Sequence, residues 1–132
     1  CGSGILSIAA CLLGARSAFG VDIDALAVRT AKENGELNGL GEPRYTIVQG
    51  DLADKVRGRY PVIAANIVAD AIIALSPAVP SLLAEGGVYI VSGIIDTREQ
   101  DVLDALGALG FAVTERHEHG GWLCLVTQYK GE

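Results

Sequence analysis

A glycine-rich turn, Cys1-Gly2-Ser3-Gly4, opens this 132-residue chain directly ahead of an apolar stretch, and polar side chains then recur where apolar runs end. Asp22 closes residues 17–23 (SAFGVDI), with Asp24 just beyond; Asp51 follows 44–48 (RYTIV); Asn66 closes 61–66 (PVIAAN). Ser92 and Gly93 stand near the end of 88–94 (VYIVSGI). A turn without β-carbons lets backbone approach a ligand closely, and a helix N-terminus behind it favours an anionic group such as a carboxylate. An acidic side chain at the end of the neighbouring strand can accept both hydroxyls of a ribose. The spacing from Gly4 to Asp22 is close to the ~20 residues of a dinucleotide fingerprint. Asp51 stands where an acceptor for an adenine amino group is useful, although a turn or cap role suits it equally. Asn66 has a plainer reading as a turn former. Pattern alone therefore reaches nucleotide-type binding and stops there.

These residues need elements to hold them. Ser3 can cap a helix over about 4–13, stopped by Gly14. Asp24 can cap a second helix over 25–37, with Leu26, Ala27, Thr30, Ala31 and Leu37 as its inner face and 38–41 as its end. The run 61–66 is continuously apolar, as in a parallel strand covered on both faces. Apolar spacing predicts a helix over 70–83 that Pro77 and Pro80 must kink or divide. Glu85-Gly86-Gly87 reads as a turn before the strand 88–94, and a helix over 97–109 is closed by Gly110. Two last strands, 111–116 and 122–128, joined through 117–121, can pair antiparallel at the sheet edge. Strands alternating with helices indicate one α/β domain, an open and mostly parallel sheet with helices on both faces. In such sheets ligands bind outside the carboxyl ends of the strands, where the polar residues above stand.

Composition narrows the classes. A net charge of -6 argues against a broad nucleic-acid footprint, though an acidic surface attracts a basic protein. Cys1, Cys11 and Cys124 are odd in number and widely spaced, with no CxxC pair. They fit reduced thiols in a cytoplasm, with Cys11 and Cys124 packed in the core, better than a disulfide framework or a zinc site. The apolar run 5–15 is far too short for a membrane span. His117 and His119 read as surface residues of a hairpin turn rather than a metal pair, Trp122 as packing at a strand start, and Lys55, Arg57 and Arg59 as a solvated loop. The chain contains no Met and begins inside a loop, so residues are expected upstream.

Two features favour S-adenosylmethionine over a nicotinamide cofactor: the C-terminal hairpin, which ordinary dinucleotide domains lack, and the placement of Asp51. The segments CGSGILSIAACLLGA, GVDIDALAVRTAKENGELNGL, ANIVAD and LLAEGGVYIVSGII closely resemble the ribosomal protein L11 methyltransferase family, and the likeness continues to the terminal GWLCLVTQYK. The first two segments indicate a class I methyltransferase with a Rossmann-like fold; the Asn-Ile pair of ANIVAD with the segment after it narrows this to the family. The resemblance implies methyl transfer from S-adenosylmethionine to amino groups, a Lys ε-amine or an N-terminal α-amine, of a large-subunit ribosomal protein. It implies Gly2, Ser3, Gly4, Asp22, Ile23, Asp51 and Asn66 as cofactor positions, Asp22 as the ribose-binding acid and Asn66 as the active-site residue beside the methyl group. From charge, cysteine and histidine placement and the short apolar run, no metal, no direct nucleic-acid contact and no membrane are expected.

The family's loop reads Asp-x-Gly-Cys-Gly-Ser-Gly after a first strand, and only Cys1-Gly2-Ser3-Gly4 stand here. Residues 1–132 are thus expected to be a methyltransferase domain lacking its first, central strand and a small N-terminal recognition domain. Three rivals remain. A methyltransferase for glutamine or a small molecule is one, but Ile67 and Val68 after Asn66 replace the Pro-Pro-Tyr of the glutamine enzymes. A cofactor-binding module without turnover and a nicotinamide oxidoreductase are the others.

Overall fold

Asp24 starts the first complete helix because its carboxylate turns back onto the helix's own N-terminus, where backbone N–H groups lack partners. In the computed structural model, which describes residues 4, 8, 11–14, 17–22, 24–42, 44–50 and 58–131, its Oδ1 accepts the Leu26 amide at 2.9 Å. The helix, α1, spans Ala25–Leu37. It ends where Gly39 takes φ +72° and the Leu40 amide returns to the Gly35 carbonyl at 2.8 Å, a glycine-terminated end of the usual kind. The chain divides into two units, Cys1–Val56 and Arg57–Glu132.

In the first unit, β1 (Ala18–Asp22) pairs in parallel with β2 (Tyr45–Gln49), Asp22 level with Gln49. Ile8, Cys11, Val28, Ala31, Leu40, Tyr45 and Ile47 form its core. The buried stripe of α1 is Val28, Ala31 and Gly35, at the helical spacing of three and four. Leu26 and Leu37, expected on the inner face, are instead 64% and 84% exposed. The helix lies too close to Tyr45 for large residues: the Tyr45 hydroxyl donates to the Ala31 carbonyl at 2.7 Å, and burial raises its pKa.

That close approach reverses the usual effect of a helical glycine. Alanine for glycine inside a helix ordinarily gains about 1 kcal/mol. A β-carbon on Gly35 would run into the Tyr45 ring, 2.7 Å from its Cδ2. Gly35→Ala is therefore expected to destabilise the protein by about 1–3 kcal/mol, the cost of overpacking. A denaturation midpoint equal to or above wild type would refute it.

The second unit holds β3 (Tyr60–Asn66), α2 (Ala69–Leu75), β4 (Leu83–Ile95), α3 (Glu99–Ala108), β5 (Phe111–His119) and β6 (Trp122–Tyr129). The sheet order is β3-β4-β6-β5, with β3 parallel to β4 and the other pairs antiparallel. Ile72 of α2 and Val102 and Leu106 of α3 share one core with Tyr89, Val91, Ile94, Leu123 and Leu125. Polar groups inside it are partnered: Thr127 donates to the Tyr89 carbonyl at 2.8 Å, and the Ser76 hydroxyl donates to the Ile72 carbonyl at 2.7 Å.

Several expectations are corrected here. The helix expected over 70–83 ends at Leu75; Pro77 falls in a short 3-10 turn, Ser76–Ala78, and Leu83 already belongs to β4. Glu85-Gly86-Gly87 lies within β4 as an irregularity of its pairing, since Tyr60 sits opposite Leu83 but Val62 opposite Val88. Strand β3 has one neighbour among the described residues, β4, and Val62 is 56% exposed rather than covered. Strand β1 likewise has one neighbour among them, β2. The last two strands run to a two-residue turn, Gly120-Gly121, with φ +57° and +84°. Two positive φ values are what the tightest hairpin turn requires, so His117 and His119 pair within β5 and do not form the turn.

Candidate active site

In the first unit, half-buried Asp22 stands at the carboxyl end of β1. Its Oδ1 accepts the Asp24 amide at 2.9 Å, and its carbonyl accepts the Gly50 amide at 2.9 Å. These bonds fix the carboxylate at the strand end, while Asp24 is occupied as the helix cap. Gly4 is buried with φ +82°. A β-carbon there would collide with the Tyr45 hydroxyl and come within 3.1 Å of the Ala31 side chain. Glycine is thus demanded at position 4 by packing against α1 and β2, before any ligand is considered. The Ile8 amide donates to the Gly4 carbonyl at 2.9 Å, a helical bond. Cys1, Gly2, Ser3, Ile23 and Asp51 lie outside the described residues, as do Lys55 and Arg57. Arg59 is exposed and donates to the Leu83 carbonyl at 3.0 Å.

In the second unit, exposed Asn66 stands at the carboxyl end of β3. Asn66 is in register with Ser92, and the Ile67 amide donates to the Ser92 carbonyl at 3.2 Å. The pairing of β4 with β6 then shifts between Ser92 and Ile94, and Gly93 takes φ +79°. A β-carbon on Gly93 would stand 2.6 Å from Asn66 Oδ1 and 3.1 Å from the Ile67 carbonyl oxygen. The Asn66 amide oxygen therefore rests against the bare face of Gly93.

One row crosses the whole sheet: Asn66, Ser92, Cys124 and His117 are successive register partners. Register partners share a face, and this row borders an open groove of about 600 Å³, also lined by Gly93, His119 and Trp122. Three sequence readings change as a result. Trp122, expected in packing, is 55% exposed on the groove rim. Cys124, expected in the core, is half-buried and borders the groove, whereas Cys11 is buried as expected. His117 and His119, set aside as turn residues, share the groove with Asn66, and His117 Nε2 lies 3.1 Å from Glu115 Oε1. The missed signal was topological: an antiparallel hairpin following β4 brings its turn to the carboxyl end of β4, the end that Asn66 occupies.

The neighbouring charges are paired on the surface. Arg116 binds Glu99 of α3 at 2.5 and 2.8 Å, and Arg98 bridges Asp70 and Asp101 at 2.5 and 2.8 Å. The hydrogen bonds from these arginines hold the Glu99 and Asp70 carboxyls below their ordinary pKa. Exposed pairs of this kind add little stability. Among the described residues no helix is long and apolar enough to cross a membrane.

Comparison with known proteins gives a consistent result. The family model described as ribosomal protein L11 methyltransferase (PrmA) matches residues 1–130. The ribosomal protein L11 methyltransferase of Pelotomaculum thermopropionicum is 47% identical over 129 residues, covering 98% of this chain and 42% of that protein. The chain thus spans about two-fifths of the length of such a relative. The crystal structure of ribosomal protein L11 methylase from Lactobacillus delbrueckii subsp. bulgaricus superposes with a TM-score of 0.93 at 34% identity, covering 97% of this chain and 65% of that one. An RNA methyltransferase from Salinibacter ruber, in complex with S-adenosyl-L-homocysteine, shares the fold at 18% identity and a TM-score of 0.77, covering 99% and 78% of the two chains.

Proposed function

The chain belongs to the ribosomal protein L11 methyltransferase family, and on that premise we propose that residues 1–132 form the S-adenosylmethionine-dependent methyltransferase domain of an enzyme that methylates amino groups of that large-subunit ribosomal protein, in the cytoplasm. The observation that carries the reading is the seat of Asn66, whose amide oxygen lies against Gly93 at the mouth of an open groove. When bound, S-adenosylmethionine supplies a methyl group on a positively charged sulfur, which is already a good leaving group. Positioning is then the main demand on the protein. The Asp22 carboxylate, fixed by the Asp24 amide, suits the ribose hydroxyls. Gly2, Ser3, Gly4, Ile23, Asp51 and Asn66 complete the proposed cofactor set.

The acceptor amine must be neutral to attack, yet a free Lys starts near a pKa of about 10.4. Burial beside a cation lowers that value. The Asn66 amide oxygen can accept a hydrogen bond from the amine and aim its lone pair. An amide does not act as a base at neutral pH, so the released proton passes to water. The net charge of -6 favours approach of a basic ribosomal protein over direct contact with nucleic acid.

The test has two arms. Calorimetric titration of the full-length protein with S-adenosylmethionine should show binding, and mass spectrometry should show methyl groups added to ribosomal protein L11. Binding without any transfer would leave the chain as a cofactor-binding module, and transfer only to other acceptors would change the substrate. Asp22→Ala should weaken cofactor binding by about 1.5–3 kcal/mol, the range for hydrogen bonds to a charged group. Unchanged affinity with an intact fold would remove Asp22 from the site.

A further inference from the structure

Ser92 stands beside Asn66 on the adjacent strand, in register with it, and lines the same groove. In the same unit, Ser76, Ser81, Thr114 and Thr127 all donate their hydroxyls to backbone carbonyls. Among the described residues the Ser92 hydroxyl and the Asn66 amide have no such partner. Two polar groups, side by side and uncommitted, border the groove at the strand end where ligands of such sheets bind.

The spacing of adjacent strands suits one amine nitrogen held by both groups. A neutral primary amine carries two N–H bonds and one lone pair. With N–H···O distances of about 2.9 Å and a tetrahedral angle between the two N–H bonds, the two acceptor oxygens lie about 4.7 Å apart. Adjacent strands are separated by roughly 4.8 Å, and Asn66 and Ser92 occupy one row on adjacent strands. Holding both N–H bonds leaves the lone pair a single direction, which one acceptor alone does not achieve.

We propose that Ser92 is the second acceptor for the attacking amine, so that the Asn66–Ser92 pair orients an unmethylated nitrogen more firmly than a methylated one. The inference rests on the methyltransferase reading above. In each transfer the nitrogen lone pair forms the new N–CH3 bond as the methyl–sulfur bond of the donor breaks, leaving a neutral thioether, and the ammonium product loses its proton to water. The nitrogen gains positive charge as it attacks, so both N–H···O bonds strengthen in the transition state and act on the rate. After one methylation a single N–H remains for the pair, and after two none does. Ser92 therefore acts most on the first addition and least on any later one.

The test is a time course of ribosomal protein L11 methylation by the full-length enzyme, resolved by mass spectrometry into successive additions, for wild type, Ser92→Ala and Ser92→Thr. Ser92→Ala should slow the first addition about tenfold, the scale of one lost hydrogen bond, and slow later additions less. Threonine, which keeps the hydroxyl, should restore the first addition. Calorimetry should find S-adenosylmethionine affinity unchanged in both variants. An unchanged first addition, equal slowing of successive additions, or a matching loss of cofactor affinity would overturn the role of Ser92. Failure of the wild-type enzyme to methylate any amine would instead overturn the reading on which it rests.

Discussion

Gly93→Ala is expected to cut amine methylation by about 100-fold while leaving the second unit folded. The backbone at this position has φ +79°, a conformation that costs an L-residue roughly 1–2 kcal/mol. Strain alone is not the main effect. The new β-carbon would sit 2.6 Å from Asn66 Oδ1 and 3.1 Å from the Ile67 carbonyl oxygen. The Ile67 carbonyl is backbone and cannot swing aside, so the Asn66 side chain must move. A displacement of about 1 Å at a positioning group costs on the order of 100-fold in rate. Steady-state kinetics with a thermal melt beside them check this. A variant that melts a few degrees low but turns over at the wild-type rate would show that the seat of Asn66 on Gly93 has no functional weight.

Replacing Asn66 itself should give an effect of similar size by a different route. Asn66→Ala removes the amide oxygen and should lower kcat by about 100-fold or more, as loss of a single transition-state hydrogen bond does elsewhere. Cofactor affinity should fall much less, because the role proposed for the residue is to aim the amine. A loss confined to cofactor binding would give Asn66 a different role. Asn66→Asp makes the sharper comparison. A carboxylate beside the amine favours its ammonium form and raises its pKa, so less of the neutral nucleophile exists at a given pH. The rate should drop at neutral pH and recover partly as pH rises. A pH–rate profile that keeps its wild-type position would contradict a contact between this side chain and the amine.

Local chemistry made much of this legible from residues alone. The bounds of α1 follow from an Asp cap at one end and Asn38-Gly39 at the other, and both signals act over a single turn. Asp22 and Asn66 were singled out because parallel strands end at the ligand-binding edge and because their segments resemble a known family. What the sequence hid depends on contacts between elements. Leu26 looks like an inner residue by hydropathy, but α1 approaches Tyr45 so closely that Val28, Ala31 and Gly35 take the buried stripe. Gly93 looks like one more strand glycine until β4 shifts its register against β6 and places it under the Asn66 amide. His117 and His119 look like turn residues until Gly120-Gly121 takes the whole turn and leaves them in the ladder.

Trp122 is the chain's single tryptophan, and its position on the groove rim gives the protein a built-in optical probe. Within residues 1–132, excitation at the red edge of indole absorption bypasses the four tyrosines, so the emission of this chain comes from one known place. With 55% of the residue open to water, that emission is red-shifted and accessible to a soluble quencher such as iodide. A polypeptide laid across the rim would displace water from the indole, moving the emission to the blue and shielding it from the quencher. Binding of any polypeptide at this face can thus be followed in real time without a label, and separately from any chemistry that follows it.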